Sequence, residues 1–344
     1  MLKKTLAWAL GALLLSTVVS AQDPRIRADH PTTYTVQPGD TLWDISGRFL
    51  TEPWYWPEIW HENPDIENPH LIYPGDVVRL TLVNGEPQLS VERGGGTIKL
   101  SPEVRVEQLD DAIPGIPMEA IRPFLSGDRV VEAGTLSDAP YVVAGGDERV
   151  MSATGDPIYV RGLDGSDANS WDVVRKEQTF RDPASGEVLG VLAQYAGSAR
   201  VREHGDPATL VLTDSTREIL AGDRLLEASD EPFDSQLVPA APSQDVDGVI
   251  MAVMDGVNQI GQYDVVALNL GRREGMKTGH VLTVLEKPRS VEDPYSKDDE
   301  VVTLPAEREG VLIVFQVFER MSLGLVMEAN RAMAVGDTVR TPER

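Results

Sequence analysis

Residues 34–82 read YTVQPGDTLWDISGRFLTEPWYWPEIWHENPDIENPHLIYPGDVVRLTL, and this stretch decides the fold of the amino-terminal part of the chain. A short strand comes first and a Pro-Gly-Asp turn follows it, because proline fixes φ and glycine accepts a positive φ. Thr41 and Asp44 have the spacing of a capping box at the start of a helix. A second helix is predicted to begin at Pro57, and alternating apolar residues from Val78 onward predict a closing strand. The predicted order is therefore strand, helix, helix, strand.

The two ends of this stretch, Y-T-V-x-P-G-D-T-L-W and N-P-D-I-x-N-P-x-L-I-Y-P-G-D, resemble those of the LysM module. The resemblance implies binding of N-acetylglucosamine-containing glycans, chiefly peptidoglycan, in a groove between the first strand–helix loop and the loop before the last strand. An N-acetyl group needs a small apolar pocket for its methyl group and backbone partners for its amide. Carried over by position, the glycan-binding residues are Gly39, Asp40, Thr41 and Leu42 in the first loop, and Asn63, Pro64, Ile66, Leu71 and Ile72 in the second wall.

The connection between the two predicted helices departs from the usual LysM pattern, because residues 52–57 (EPWYWP) are longer and more aromatic. Trp56 and Trp60 are interpreted as core residues of a small domain. An exposed Trp54 or Tyr55 would instead offer an amphipathic ring that stacks on a sugar or a partner.

The first 21 residues have the features of a secretory signal peptide. Two lysines precede an apolar run over residues 6–15, and residues 19–21 (VSA) form a small-residue cleavage site. The apolar run is too short to span a bilayer comfortably, so we expect export and cleavage after residue 21. A retained membrane anchor is the alternative. The chain has no cysteine, which excludes a lipid anchor on an N-terminal cysteine and a disulfide scaffold.

The chain of 344 residues is strongly acidic, with 31 lysines and arginines against 55 aspartates and glutamates and a formal net charge of −24. A charge of this sign argues against nucleic acid and anionic lipid as general partners. The five histidines show no metal-ligand spacing, and without cysteine a structural zinc site is not expected. No cofactor and no metal site are predicted.

The rest of the chain is β-rich and contains an internal repeat. Short runs of Val, Leu and Ile are broken by Gly, Asp and Pro about every ten residues, which is typical of antiparallel β structure. Four segments recur in the same order, and we interpret them as parts of two related β units, with chance similarity of β-rich segments as the alternative. Gly-Asp pairs at residues 127–128, 222–223 and 336–337 are interpreted as turns. The paired segments are residues 155–163 with 261–271, 187–195 with 310–318, 198–201 with 322–326, and 219–225 with 333–339.

The predicted fold class is α+β: an N-terminal LysM module of β-α-α-β order, followed by mainly antiparallel β domains that include two related β-barrel-like units. A helix over residues 118–125 is expected to interrupt the β-rich part. The predicted boundaries are a signal peptide at 1–21, a tether at 22–33, the LysM domain at 34–82, a linker at 83–101, a β-rich connecting segment at 102–144, the first β unit at 145–228, a second linker at 229–248, and the second β unit at 249–341.

Catalysis has to be weighed, because LysM modules often carry a wall hydrolase or transpeptidase to its substrate. The chain offers no cysteine nucleophile and no G-x-S-x-G elbow, and His204 and His280 are isolated. A glycosidase needs only two carboxylates, and 55 acidic residues leave that alternative open. The acidic residues within 291–300 are interpreted as a solvated loop, with a Ca²⁺ site or a partner-binding loop as the alternative. We expect a protein that is not an enzyme.

A signal peptide, one LysM module and a long β-rich tail together resemble the type IV pilus secretin-associated protein family, whose tail ends in a domain similar to the C-terminal domain of the flagellar protein FlgT. The matching landmarks are G-V-I-M-A-V, Y-D-V-V-A-L-N-L-G and A-V-G-D-T-V-R-T-P within residues 248–342. The resemblance implies a periplasmic, wall-associated adaptor that anchors or aligns an outer-membrane secretin ring to peptidoglycan. A wall-remodelling hydrolase of unrecognised type and a plain wall-bound structural protein are the alternatives.

Overall fold

The computed structural model describes residues 25–60, 71–83, 86–93, 113–125, 127–146, 149–163, 168–228, 237–254, 259–293, 295–296 and 300–343. Within these ranges a small α/β module is followed by antiparallel β structure that includes a closed barrel, which confirms the predicted fold class. None of the helices in these ranges has the length and the apolar character needed to cross a bilayer.

The amino-terminal module begins with a strand and a capped helix. Thr41 Oγ1 accepts the Asp44 N–H at 3.1 Å, and Asp44 Oδ2 accepts the Thr41 N–H at 3.3 Å, so the predicted capping box is present. The second helix begins at Trp56, one residue before the predicted start. The elements of the module are β1 (Thr33–Thr35), α1 (Leu42–Phe49), a 3₁₀ turn (Pro53–Tyr55), α2 (Trp56–Ile59), β2 (Val77–Val83) and β3 (Glu86–Glu92).

Strand β3 lies inside the linker predicted at residues 83–101, which is therefore wrong over residues 86–92. It pairs antiparallel with β2 along its whole length. Its alternate residues Leu89 and Val91 are buried in the core of the module, and this burial explains why the segment is a strand. The strand suggested by residues 97–100 lies outside the described residues.

The aromatic connection between the two helices belongs to the core. Trp54 and Tyr55 are buried, and their rings stack with centroids 4.0 Å apart. Trp56 is buried, as predicted, and its ring meets that of the partly buried Trp60 edge-on with centroids 5.9 Å apart. The alternative of an exposed sugar-stacking ring at Trp54 or Tyr55 is wrong, because the 3₁₀ turn folds both rings inward.

The first β unit contains a ring of antiparallel strands. The elements from residue 118 to residue 227 are α3 (Met118–Leu125), β4 (Arg129–Val131), α4 (Thr135–Asp138), β5 (Tyr141–Gly145), β6 (Met151–Ser152), β7 (Pro157–Arg161), β8 (Ser170–Arg181), β9 (Val188–Glu203), β10 (Ala208–Ser215), β11 (Ile219–Leu220) and β12 (Arg224–Glu227).

Six of these strands close in the order β5-β7-β10-β9-β8-β12, and β12 pairs back onto β5. Strand β4 pairs with residues 191–193 of β9, ahead of the stretch of β9 that pairs with β10. The predicted helix over residues 118–125 is present as α3. The connecting segment at 102–144 contains strands, as predicted, but β4 and β5 pair with strands of the first unit, so the boundary predicted at residue 145 lies too late in the chain. Their pairing with distant strands decides where they belong.

The second β unit, called the barrel below, is a closed ring in the order β13-β15-β20-β19-β16-β22. The second linker, predicted at 229–248, is wrong at residues 247–248, where the barrel has already begun. The elements are β13 (Asp247–Val253), β14 (Gln259–Ile260), β15 (Val265–Leu268), a 3₁₀ turn (Arg272–Glu274), β16 (Val281–Leu285), β17 (Ser290–Glu292), β18 (Val301–Thr303), β19 (Arg308–Val317), β20 (Ser322–Ala329), β21 (Met333–Ala334) and β22 (Thr338–Arg340).

The two rings have the same topology. The strands correspond one to one around the rings: β5 to β13, β7 to β15, β10 to β20, β9 to β19, β8 to β16 and β12 to β22. Each ring also carries an equivalent two-stranded ribbon, β6 with β11 in the first and β14 with β21 in the second. Three of the four predicted segment pairs fall on corresponding strands. The pairing of 198–201 with 322–326 is wrong, because residues 198–201 continue the long β9, whereas the counterpart of β20 is β10.

Strand β19 is buried on both faces, and this shows how the parts pack together. Leu312 and Val314 point into the barrel, whereas Ile313 and Phe315 belong to a second apolar cluster outside it. That outer cluster also includes the core of the LysM module and residues of α3. The ring of Phe124 in α3 lies 6.5 Å from Phe315. One continuous apolar core therefore joins the module, α3 and the outer face of the barrel.

A recurring turn precedes many of the strands. A glycine with positive φ is followed by an aspartate whose Oδ2 accepts the backbone N–H three residues before it. The Gly-Asp pairs at 222–223 and 336–337 have this form, as predicted, whereas Asp128 of the pair at 127–128 accepts the Tyr195 N–H instead. At Asp264 the preceding residue is Tyr263, with φ 71°, which takes the place that Gly155 holds before β7 in the first unit.

Candidate functional site

The first loop of the candidate site connects β1 to α1 and is held by Asp40. Gly39 is exposed and has φ 90°, a conformation that favours glycine in this turn. Asp40 Oδ2 accepts the Gln37 N–H at 2.7 Å and the Tyr34 hydroxyl at 2.9 Å. Burial and then the bond to Asp40 raise the pKa of Tyr34. The Asp40 carboxylate therefore shapes the loop.

The second wall lies beside the first loop. The Val36 N–H donates to Asp76 O and the Gly75 N–H donates to Val36 O, both at 2.9 Å, so the turn before β2 pairs with the end of β1. Leu71 is half-buried and Ile72 is buried just before this turn. The structure thus places the turn that follows residues 71–72 beside the strand that leads into the first loop. The predicted site residues Asn63, Pro64 and Ile66 lie outside the described residues.

A cavity of about 420 Å³ opens beside the first loop, and its walls come from two parts of the chain. The module contributes the first loop, Asp44 and Pro74. The opposite wall was missed by sequence reasoning, although the apolar, proline-containing sequence IPGIP at 113–117 is unlike a solvated linker. That wall consists of Ile113, Pro114, Pro117 and Tyr263.

Residues 113–117, called the IPGIP segment below, make backbone hydrogen bonds to both sides of the candidate site. The N–H groups of Leu42 and Trp43 donate to Pro114 O at 3.0 Å and Gly115 O at 3.2 Å. The Ile113 N–H donates to Ile72 O at 2.8 Å. Leu42 keeps 4% of its surface exposed and Ile72 keeps 1%, and both belong to the core cluster of the module. In this conformation neither residue is available to a ligand.

Two polar contacts join the module to the barrel outside this segment. Arg308 donates to both carboxylate oxygens of Glu52, at 2.5 and 2.8 Å, and this bond raises the pKa of Arg308. Tyr263 lies against Asp44 at the start of α1. Burial first, and then the negative charge and hydrogen bonding of Asp44, raise the pKa of Tyr263. Both contacts involve residues far apart in sequence.

The histidines of the tail lie in different surroundings. His280 is buried, its Nδ1 accepts the Lys277 N–H at 3.2 Å, and burial followed by the Lys277 charge lowers its pKa. His204 is exposed. In the part of the chain that the structure describes, no three residues of the His, Asp and Glu types come together as metal ligands do.

Comparison with known families agrees with the module seen in the structure: residues 34–81 match the LysM domain, a class of peptidoglycan-binding module. Among curated proteins, the uncharacterized protein YqbP of Bacillus subtilis (strain 168) is 38% identical over 60 residues. That match covers 14% of this chain and 27% of YqbP. The chain therefore spans about a quarter of the length of that relative.

Proposed function

We propose that this chain is a periplasmic peptidoglycan-binding adaptor that anchors or aligns an outer-membrane secretin ring to the cell wall. The observation that supports glycan binding is the LysM match over residues 34–81, in a module whose turn before β2 pairs with the end of β1. The N-terminal signal peptide predicted from the sequence would deliver the chain to the wall. The secretin part rests on the resemblance of the whole arrangement to the secretin-associated family.

The candidate walls suit an N-acetyl group. Leu71 is half-buried and keeps some apolar surface for the methyl group. The first two N–H groups of α1, at Leu42 and Trp43, have no acceptor within the helix and would be available to the amide carbonyl wherever the IPGIP segment does not occupy them. The Ile72 carbonyl, which accepts the Ile113 N–H in this conformation, would supply an acceptor for the amide N–H once that bond is broken. Gly39 leaves the backbone of the first loop open to close approach, since a Cβ there would meet nothing within 4 Å.

Leu71→Asp in the full-length protein is expected to abolish co-sedimentation with purified wall sacculi. A carboxylate beside the methyl pocket must lose water when the glycan binds, which weakens binding on the order of tenfold to a hundredfold. Leu71 is half-buried, so the folded module should tolerate the change. Circular dichroism checks the fold, and the bound fraction after centrifugation is the measurement.

Leu82→Asp is the matched control, because Leu82 belongs to the same module and is 69% exposed at the end of β2. Binding like the unmodified protein is expected for it. If the unmodified protein stays in the supernatant while a known wall binder sediments, the glycan part is wrong. If Leu71→Asp sediments as well as Leu82→Asp does, the position of the site is wrong.

The tail is proposed to bind a protein and to perform no catalysis. Its strong negative charge would be repelled by anionic wall polymers and suits a partner with a basic face. A single LysM module is expected to bind weakly. A ring of many copies would hold many modules against the wall at once, and the resulting avidity compensates for the weak single site.

Affinity-tagged full-length protein is expected to retain outer-membrane rings from detergent-solubilised envelopes even after the wall has been digested with lysozyme. Leu71→Asp should retain them equally, because its defect lies in the module. If the rings are lost when the wall is digested, they were held only through the glycan, and this result would contradict the adaptor proposal. Soluble muropeptides released by the protein itself would favour the hydrolase alternative.

A further inference from the structure

We propose that the candidate glycan groove has two competing occupants, the IPGIP segment of the same chain and the glycan, so that the structure represents a self-occupied state. This inference rests on the proposed glycan binding and adds its regulation. The module would bind the wall only after the segment leaves, and leaving would loosen the module from the barrel.

The segment presents the same chemistry as the ligand. An acetamido group is a secondary amide with one carbonyl and one N–H, and so is a peptide group. The two orphan N–H groups at the start of α1 already have the Pro114 and Gly115 carbonyls as acceptors. The Ile72 carbonyl already accepts the Ile113 N–H. A sugar amide that used these groups would have to displace the segment.

The apolar side chains of the segment are buried as a bound ligand would be. Ile113 is 6% exposed and Ile116 is 1% exposed. Pro114 and Pro117 have no N–H, so their backbone nitrogens need no partner in the groove. At Gly115 a Cβ would lie 3.2 Å from the Leu237 carbonyl oxygen, so the segment fits closely between the module and the chain that leads into the barrel.

Tyr263 and Arg308 hold the module on the barrel around the segment. Tyr263 has φ 71° in a turn where the equivalent residue of the first unit is Gly155. A tyrosine in the left-handed region is strained, and such strain persists where the side chain is used. Here the side chain lies against Asp44 and the cavity wall. Arg308 donates two hydrogen bonds to the Glu52 carboxylate.

Occupation and docking are therefore coupled. The glycan and the docked segment need the same backbone groups, and linkage requires that whatever favours one disfavours the other. Weakening the docking contacts should strengthen glycan binding, although none of the altered residues lies among Gly39, Asp40, Thr41, Leu42, Leu71 and Ile72.

The test uses full-length protein and N-acetylglucosamine tetramer, with the dissociation constant measured by calorimetry. Arg308→Glu places a second carboxylate against Glu52 and is expected to tighten binding on the order of tenfold. Adding Glu52→Arg to that variant restores the pair with its charges exchanged and should return the affinity to the original value. Arg340→Glu, which breaks the solvent-exposed pair with Asp247 between β22 and β13, is the matched control and should leave the affinity unchanged.

Hydrogen exchange gives a second readout. Peptides that cover residues 113–125 should exchange faster when the tetramer is added, whereas those that cover residues 39–45 should not. Slower exchange at 113–117 would mean that the segment forms part of a composite sugar site with Tyr263, and the competition would be overturned. Tyr263→Gly, which relieves the strained φ, should tighten binding as Arg308→Glu does.

The experiment distinguishes failure of the competition from failure of the glycan binding on which it rests. If the unmodified protein and all variants bind the tetramer with one affinity, the competition is wrong and the proposed glycan binding stands. If none of them binds the tetramer or wall sacculi, the glycan function is wrong and the competition falls with it.

Discussion

Gly310→Ala is expected to destabilise the barrel by about 3 kcal/mol. A Cβ at this position in β19 would lie 1.9 Å from the Glu328 carbonyl oxygen and 2.3 Å from Met333 Cε. The methionine can move, but the carbonyl belongs to the neighbouring strand β20, so the two strands would have to separate. Thermal and urea unfolding, followed by circular dichroism, measure the change.

Gly47→Ala is the control for adding one methyl group. Gly47 lies in α1, and its Cβ would make an ordinary contact with Pro53 Cγ at 3.4 Å. Alanine favours the helix over glycine, so this variant should be as stable as the unmodified protein or more stable by up to about 1 kcal/mol. Equal unfolding curves for Gly310→Ala and the unmodified protein would contradict the packing described for β19 and β20.

Glu309→Gln is expected to stabilise the protein at pH 8 by about 2 kcal/mol and to have little effect at pH 4. Glu309 is buried, and its Oε2 has no hydrogen-bond partner among the described residues. Burial first, and then the neighbouring Asp337, raise the pKa of Glu309 to about 7, with Glu286 adding to the rise and Arg331 opposing it.

The direction of this pH dependence follows from the number of protons that the folded and unfolded states bind. The carboxyl group of Glu309 has a pKa near 4.5 when unfolded and about 7 when folded, so the folded state binds more protons between these values. Its contribution to stability is full below pH 4.5 and is lost as the pH rises through 7. Glutamine stays neutral and removes this dependence, whereas Glu292→Gln at an exposed site of β17 should leave it unchanged. A constant stability difference between Glu309→Gln and the unmodified protein from pH 4 to 8 would contradict the assignment.

Features that depend on neighbours in the chain could be predicted from the sequence. The capping box of Thr41 and Asp44, the Gly-Asp turns at 222–223 and 336–337, and the helix over residues 118–125 all involve groups three or four residues apart. The LysM motifs likewise located a domain that the family match places at residues 34–81. The repeat was visible because each copy keeps its own turns and apolar alternation.

Features that depend on distant partners could not be predicted. The linker expected at 83–101 contains β3 because Leu89 and Val91 fill the module's core. The segment pair at 198–201 and 322–326 was assigned to equivalent strands because apolar alternation does not show where one strand ends and the next begins. Strands β4 and β5 join the first ring through partners far away in the chain.

The candidate site likewise combines features that are local in the sequence with contacts that only the tertiary structure shows. The motifs at the two ends of residues 34–82 were enough to recognise a LysM module, and the resemblance implies that residues 39–42 and 71–72 belong to its glycan groove, which stays a prediction. Only the tertiary structure placed the IPGIP segment, Tyr263 and Arg308 against those walls. A backbone N–H can donate to any carbonyl oxygen of suitable geometry, and the packing of α3 and the barrel against the module decides which carbonyl lies there.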